Sequence, residues 1–88
     1  MRRKINFKGR VQGVGFRWNT KDALQSFNVT GYVKNLSNGS VELLLEGSSY
    51  DVSAALQTVE KRMRGYWLSR DWEDLPGDSH WVDFSIQN

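Results

Sequence analysis

Residues 30–47 read TGYVKNLSNGSVELLLEG, two short runs of strand-forming residues on either side of Asn38-Gly39. Asn-Gly is the strongest short-range hairpin signal, because both positions tolerate positive φ. The stretch therefore predicts two antiparallel strands, 30–35 and 40–46. Working outward, the next segment, SSYDVSAALQTVEKRMRG, opens on a Ser48 to Asp51 capping pair. It places Val52, Ala55, Leu56, Val59 and Met63 on one face and stops at Gly65, which predicts a helix.

Upstream, Phe16, Thr20, Ala23, Leu24 and Phe27 recur at helical spacing, and Asn28 suits the stop. A strand is predicted from Lys4 to Val11, with Ile5 and Phe7 on one face and Asn6 and Lys8 on the other. Downstream, Val82, Phe84 and Ile86 alternate with Trp81, Asp83 and Ser85 as a half-buried final strand, and YWLSRDW adds a short edge strand before the EDLPGD loop. The order β-α-β-β-α-β predicts an α+β fold. That order has a short list of solutions, of which the commonest, and the one expected here, is the ferredoxin-like split βαβ sandwich, an antiparallel sheet with two helices on one face.

Eighty-eight residues are read as one domain, 1–88. The chain has no cysteine, so neither a disulfide nor a cysteine nucleophile is available, and the fold rests on apolar packing. The basic start lacks an apolar stretch after it, and no apolar run is long enough to span a bilayer, so a cytoplasmic protein without membrane contact is expected. A monomer with no nucleic-acid partner is the accompanying expectation. Net charge is only +2, but it is sorted. The first 21 residues hold seven Lys/Arg and no acid, whereas everything after Arg70 holds five Asp/Glu and no Lys/Arg. An anion near the N-terminal half is expected, although Arg2, Arg3 and Lys4 individually read as solvated surface charges.

Between the first strand and the first helix stands VQGVG, where permissive glycines and helix N-terminal amides can turn several N–H groups toward one anion. A dinucleotide motif would need glycine at position 18, where Trp18 stands, and no G-K-[ST] follows to make a nucleotide loop. The span Val11 to Arg17 has the length of a cysteine-phosphatase cradle, but Val11 occupies the nucleophile position. If the loop handles phosphate, attack comes from water or from a residue elsewhere. His80, the only histidine, reads as a loop or edge residue, and the four tryptophans read as packing or rim residues.

KGRVQGVGFRW (8–18) resembles the signature of the acylphosphatase family, and GYVKNLSNGSVELLLEG (31–47) resembles that family's second conserved stretch. The resemblance covers nearly the whole chain. It implies hydrolysis of small acyl phosphates to carboxylate and inorganic phosphate, with no metal or cofactor, and with inorganic phosphate acting as product and inhibitor. Arg17 matches the family's phosphate-binding arginine, and Asn35 matches the asparagine that positions the attacking water. Gln12, Gly13, Val14, Gly15 and Phe16 match the loop whose amides, with that of Arg17, surround the phosphoryl oxygens. Lys34 and Leu36 depart from the Arg and Thr often found beside the asparagine, which bears on how the water is supported. The Trp-rich segment 66–81 departs most from the family and is expected to shape the substrate mouth.

The chemistry suits this inventory independently of the resemblance. A carboxylate leaving group, whose conjugate acid has a pKa near about 4, departs without a general acid. Phosphoryl transfer then needs chiefly positioning and charge stabilisation, which amides and a guanidinium supply. Two readings from other classes remain open, a non-catalytic anion-binding or regulatory domain and a single-stranded RNA-binding module of the same fold. The RNA reading lacks stacking aromatics in SVELLLEG, and the presence of both Arg17 and Asn35 argues against a silent domain.

Overall fold

In the computed structural model, which describes residues 1–88, the chain runs β1 (Arg2–Gly9), α1 (Phe16–Ala23), a single 3-10 turn (Leu24–Ser26), β2 (Thr30–Asn35), β3 (Val41–Glu46), α2 (Ser49–Arg62), β4 (Trp67–Leu75) and β5 (Phe84–Gln87). The five strands form one sheet in the order β4-β1-β3-β2-β5. Both helices cover one face. Ile5, Phe7, Val33, Val41, Leu43 and Leu45 from the strands meet Phe16, Leu24, Val52, Ala55, Leu56 and Val59 from the helices in a continuous core. The ferredoxin-like arrangement expected from the sequence is present.

The central elements follow their local signals closely. Ser48 Oγ accepts from the Asp51 N–H at 3.0 Å and caps α2. The predicted stripe of α2 is buried throughout. In the hairpin only Gly39 takes positive φ, because the connection spans five residues, 36–40, and the Asn38 side chain instead accepts from the Ser40 N–H at 3.0 Å. The first strand ends at Gly9 rather than Val11, since a register shift at Lys8/Gly9 releases the chain from β4. The first helix becomes a 3-10 turn after Ala23, so Phe27 is its extended exit and Asn28 lies beyond the stop.

The two C-terminal strands exchange the roles expected of them. β4, expected as a short edge addition, is the longest strand at nine residues and pairs with all eight residues of β1 as the fourth strand of the split βαβ motif. The tail strand β5 is the addition, and it runs parallel to β2, which makes the sheet mixed rather than wholly antiparallel. Val82 falls outside it and is 94% exposed, because pairing begins only at Gly31↔Phe84.

The sorted charges find their explanation in this topology. β1 lies against β4, where Arg3 pairs with Asp74 at 2.8 Å, Lys4 with Glu73 at 3.1 Å and Lys8 with Asp71 at 3.4 Å. Arg2 reaches Glu46 on β3 at 2.7 Å. Four of the seven N-terminal cations are thus neutralised within the sheet and do not mark an anion site.

Glu46 is buried on the sheet's open face, under the chain that follows β4. Its carboxylate accepts from Arg2 Nε at 2.7 Å, from the backbone N–H groups of His80 and Trp81 at 2.9 Å each, and from Thr30 Oγ1 at 3.3 Å. Burial opposes ionisation, but Arg2 and the two N–H groups together outweigh it and hold the carboxyl below its ordinary value. Because the folded-state value is depressed, this stabilisation is complete above the unfolded carboxylate pKa of about 4.3 and is lost as pH falls through the folded value. Glu46→Gln is expected to lower stability at pH 7 by about 2 kcal/mol, or roughly 10 °C in Tm. It should also flatten the fall in Tm below about pH 4. Thermal melts of both proteins from pH 3 to 7 test this, and parallel curves would remove Glu46 from the acid response.

Candidate functional site

The loop between β1 and α1 leaves the sheet at Val11, whose side chain is buried, and re-enters the core at Phe16, which packs on Phe7 with ring centroids 5.2 Å apart. These two anchors fix the ends of a short arch. Within it Gly13 and Gly15 sit at φ of 77° and 78°, left-handed conformations that cost an L-residue roughly 1–2 kcal/mol. Gly15 is the N-cap of α1 and offers no capping side chain. The backbone N–H groups from Gln12 to Trp18 accordingly find no acceptor in the protein. A row of free amides at the positive end of a helix is an anion-binding arrangement.

Gln12 ties this arch to the β2–β3 hairpin. Its Nε2 donates to the Leu36 carbonyl at 2.8 Å and to the Ser40 carbonyl at 2.9 Å, so its side chain is committed to structure rather than to a ligand. Val14 also turns toward the core. The tether brings the end of β2, and with it Asn35, to the mouth of the arch. Asn35 is half-buried on the helix-facing side of the sheet, and its carboxamide has no hydrogen-bond partner in the protein.

A cleft of about 210 Å³ results, lined by Val11, Gly13, Gly15, Phe16, Arg17, Trp18, Asn35 and Ile86. No acidic side chain lines it. The Arg17 guanidinium has no carboxylate partner; its Nη1 donates only to the Gln87 carbonyl and to Asn88 Oδ1, each at 3.3 Å. Arg17, Asn35 and, of the loop, Gly13, Gly15 and Phe16 thus line one space, whereas Gln12 and Val14 do not line it.

Other expectations are relocated. Lys34 points to the opposite face of the sheet, where it pairs with Glu42 at 3.6 Å, and the Leu36 carbonyl is taken by Gln12, so the departures beside Asn35 do not enter the cleft. The Trp-rich segment does not form the mouth. Trp67 packs on Phe7, Trp72 lies under the Arg3 guanidinium and Trp81 packs on Tyr32, whose hydroxyl is pushed up in pKa by burial and by donation to Glu42. The tryptophan at the mouth is Trp18, 62% exposed, opposite Ile86 of β5. Alternation alone makes Ile86 part of a half-buried face and no more, because its place beside the loop depends on the parallel docking of β5.

A family model described as acylphosphatase matches residues 3–86. The chain is 36% identical over 86 residues to an acylphosphatase of Oceanobacillus iheyensis, covering 96% of this chain and 94% of that one. It is 39% identical over 83 residues to an acylphosphatase of Bacillus pumilus, covering 90% and 89% of the two chains. Its structure superimposes on the crystal structure of acylphosphatase from Bacillus subtilis with a TM-score of 0.89 at 27% identity, covering 99% of this chain and 98% of that chain. Sequence, architecture and cleft agree, and the chain belongs to the acylphosphatase family.

Proposed function

We propose that the cleft hydrolyses small acyl phosphates by direct attack of water on phosphorus. The observation that carries this reading is that Arg17, Asn35 and the unpartnered N–H groups of Gly13, Gly15 and Phe16 belong to residues that line one cleft without an acid. The arch amides and Arg17 hold the equatorial phosphoryl oxygens, whose charge is stabilised most as the P–O bond to the acyl group loosens. Asn35 accepts from the attacking water through its carbonyl oxygen and adds no negative charge beside the phosphate. The water oxygen bonds to phosphorus, the bridging P–O bond breaks, and its electrons leave with the carboxylate. The water's protons pass to the phosphate product and solvent. The apolar wall of Trp18 and Ile86 lies where the acyl group would extend.

A single-stranded RNA-binding role is disfavoured by the open sheet face. There Lys4, Lys8 and Lys34 are each paired with a carboxylate, and Tyr32 and Trp81 pack on each other, with ring centroids 5.2 Å apart. Hydrolysis of an aryl acyl phosphate by purified protein in excess chelator tests the proposal and separates it from a silent anion-binding domain. Turnover should persist, inorganic phosphate should inhibit competitively, and an alkyl phosphate monoester should be a poor substrate, since an alkoxide leaves reluctantly without an acid to protonate it. Activity that vanishes with chelator and returns with a divalent metal, or equal turnover of the alkyl ester, would overturn the mechanism.

A further inference from the structure

One cleft amide is aimed by a chain of side chains that reaches across to α2. The Gly15 carbonyl accepts twice from Asn19: from its backbone N–H at 2.9 Å, the first bond of α1, and from its side-chain Nδ2 at 2.8 Å. The same Asn19 carboxamide accepts through Oδ1 from Arg62 Nε at 3.2 Å, and Arg62 is anchored in turn to Asp22 at 2.6 Å. Asp22 and Asn19 lie on α1 and Arg62 on α2, so the second helix braces the start of the first.

The Gly15 carbonyl and the Phe16 N–H belong to one planar peptide unit and point in opposite directions. Fixing the carbonyl from both of its acceptor directions therefore fixes the Phe16 N–H, which faces out of the helix start toward the cleft. Glycine at 15 makes this brace necessary, because a residue without a side chain neither restrains its own ψ nor caps the helix. The brace also polarises. A guanidinium donating to the carboxamide oxygen draws charge through Nδ2 and the Gly15 peptide, and so strengthens the Phe16 N–H as a donor.

We propose that Asn19 is a positioning residue for the reaction, holding the Gly15–Phe16 peptide so that the Phe16 N–H is pre-aimed at the bound phosphoryl group. The inference rests on the reading of the arch as a phosphoryl cradle, and the experiment separates the two. Wild type, Asn19→Ala and Asn19→Ser are compared by steady-state turnover of an aryl acyl phosphate, by inhibition with inorganic phosphate, by thermal melting, and by amide NMR during phosphate titration. Asn19→Ala should lower kcat/KM and weaken phosphate inhibition, each by about five- to tenfold, the scale of one well-made hydrogen bond. The phosphate-induced shift of the Phe16 amide should shrink while that of Gly13 persists. Asn19→Ser should recover much of the loss, because a serine hydroxyl can donate to the carbonyl four residues back. Unchanged phosphate inhibition in Asn19→Ala, or loss of all loop shifts together with a fall in Tm, overturns the positioning role. A wild type showing neither phosphate-induced shifts nor turnover overturns the cradle, and this inference with it.

Discussion

Replacing Asn35 by alanine is expected to lower kcat by about a hundredfold or more while phosphate still binds and the fold survives. The size follows from what the residue would do. In the transition state the water must lie in line with the departing carboxylate, and one preorganised polar group that holds it contributes on the scale of an oxyanion-hole donor. The selectivity follows from what the residue touches. Its carboxamide has no partner in the protein and is half-buried at the end of β2, so truncation leaves no buried group unsatisfied and should move stability by only about 0.5 kcal/mol. Phosphate is held by the arch amides and Arg17, which Asn35→Ala leaves in place. kcat, the phosphate inhibition constant and Tm decide together. Near-normal kcat in a folded variant, or loss of phosphate affinity as severe as that caused by removing Arg17, would take the water away from Asn35.

Which parts of this arrangement can be read from the chain depends on whether their cause is local. The α2 cap at Ser48, the buried stripes of both helices and the hairpin around Asn38-Gly39 are local, and their spacing predicts them. β4 is different. All its residues except Trp67 and Leu75 are exposed, so no alternation marks it, and its place is set by backbone pairing to β1 and by acids that meet the β1 cations Arg3, Lys4 and Lys8, far away in the chain. Read along the chain, those same charges suggest an anion near the N-terminus; read across the sheet, they are a strand-pairing device. At the site, Arg17 and Asn35 are singled out by the resemblance of their two segments to the family's motifs, since each alone reads as a surface or turn residue. The side-chain tether of Gln12 and the brace of Asn19 are not, because each depends on which backbone carbonyl the fold brings within reach.

Arg17→Ala should strike binding and chemistry together, lowering kcat/KM by on the order of a thousandfold or more and weakening phosphate inhibition, in contrast to Asn35→Ala. In this structure the guanidinium rests on two neutral acceptors, the Gln87 carbonyl and Asn88 Oδ1, at 3.3 Å each. These are long contacts to uncharged groups. A phosphoryl dianion offers shorter, charge-assisted bonds in a two-pronged geometry, so it should win the guanidinium from the C-terminal strand. Because the contacts given up are weak and Arg17 is only half-buried, the alanine variant should melt close to wild type. Arg17→Lys is the sharper comparison. An ammonium keeps the charge but cannot present two parallel N–H groups to two phosphoryl oxygens, so lysine should recover only a small part of the lost kcat/KM. The phosphate inhibition constant then separates the causes. If Arg17→Lys restores most of the turnover, charge alone is sufficient and the two-pronged contact is unnecessary. If Arg17→Ala binds phosphate as tightly as wild type, the anion is held elsewhere and the convergence of cation and amides in the cleft has been misread.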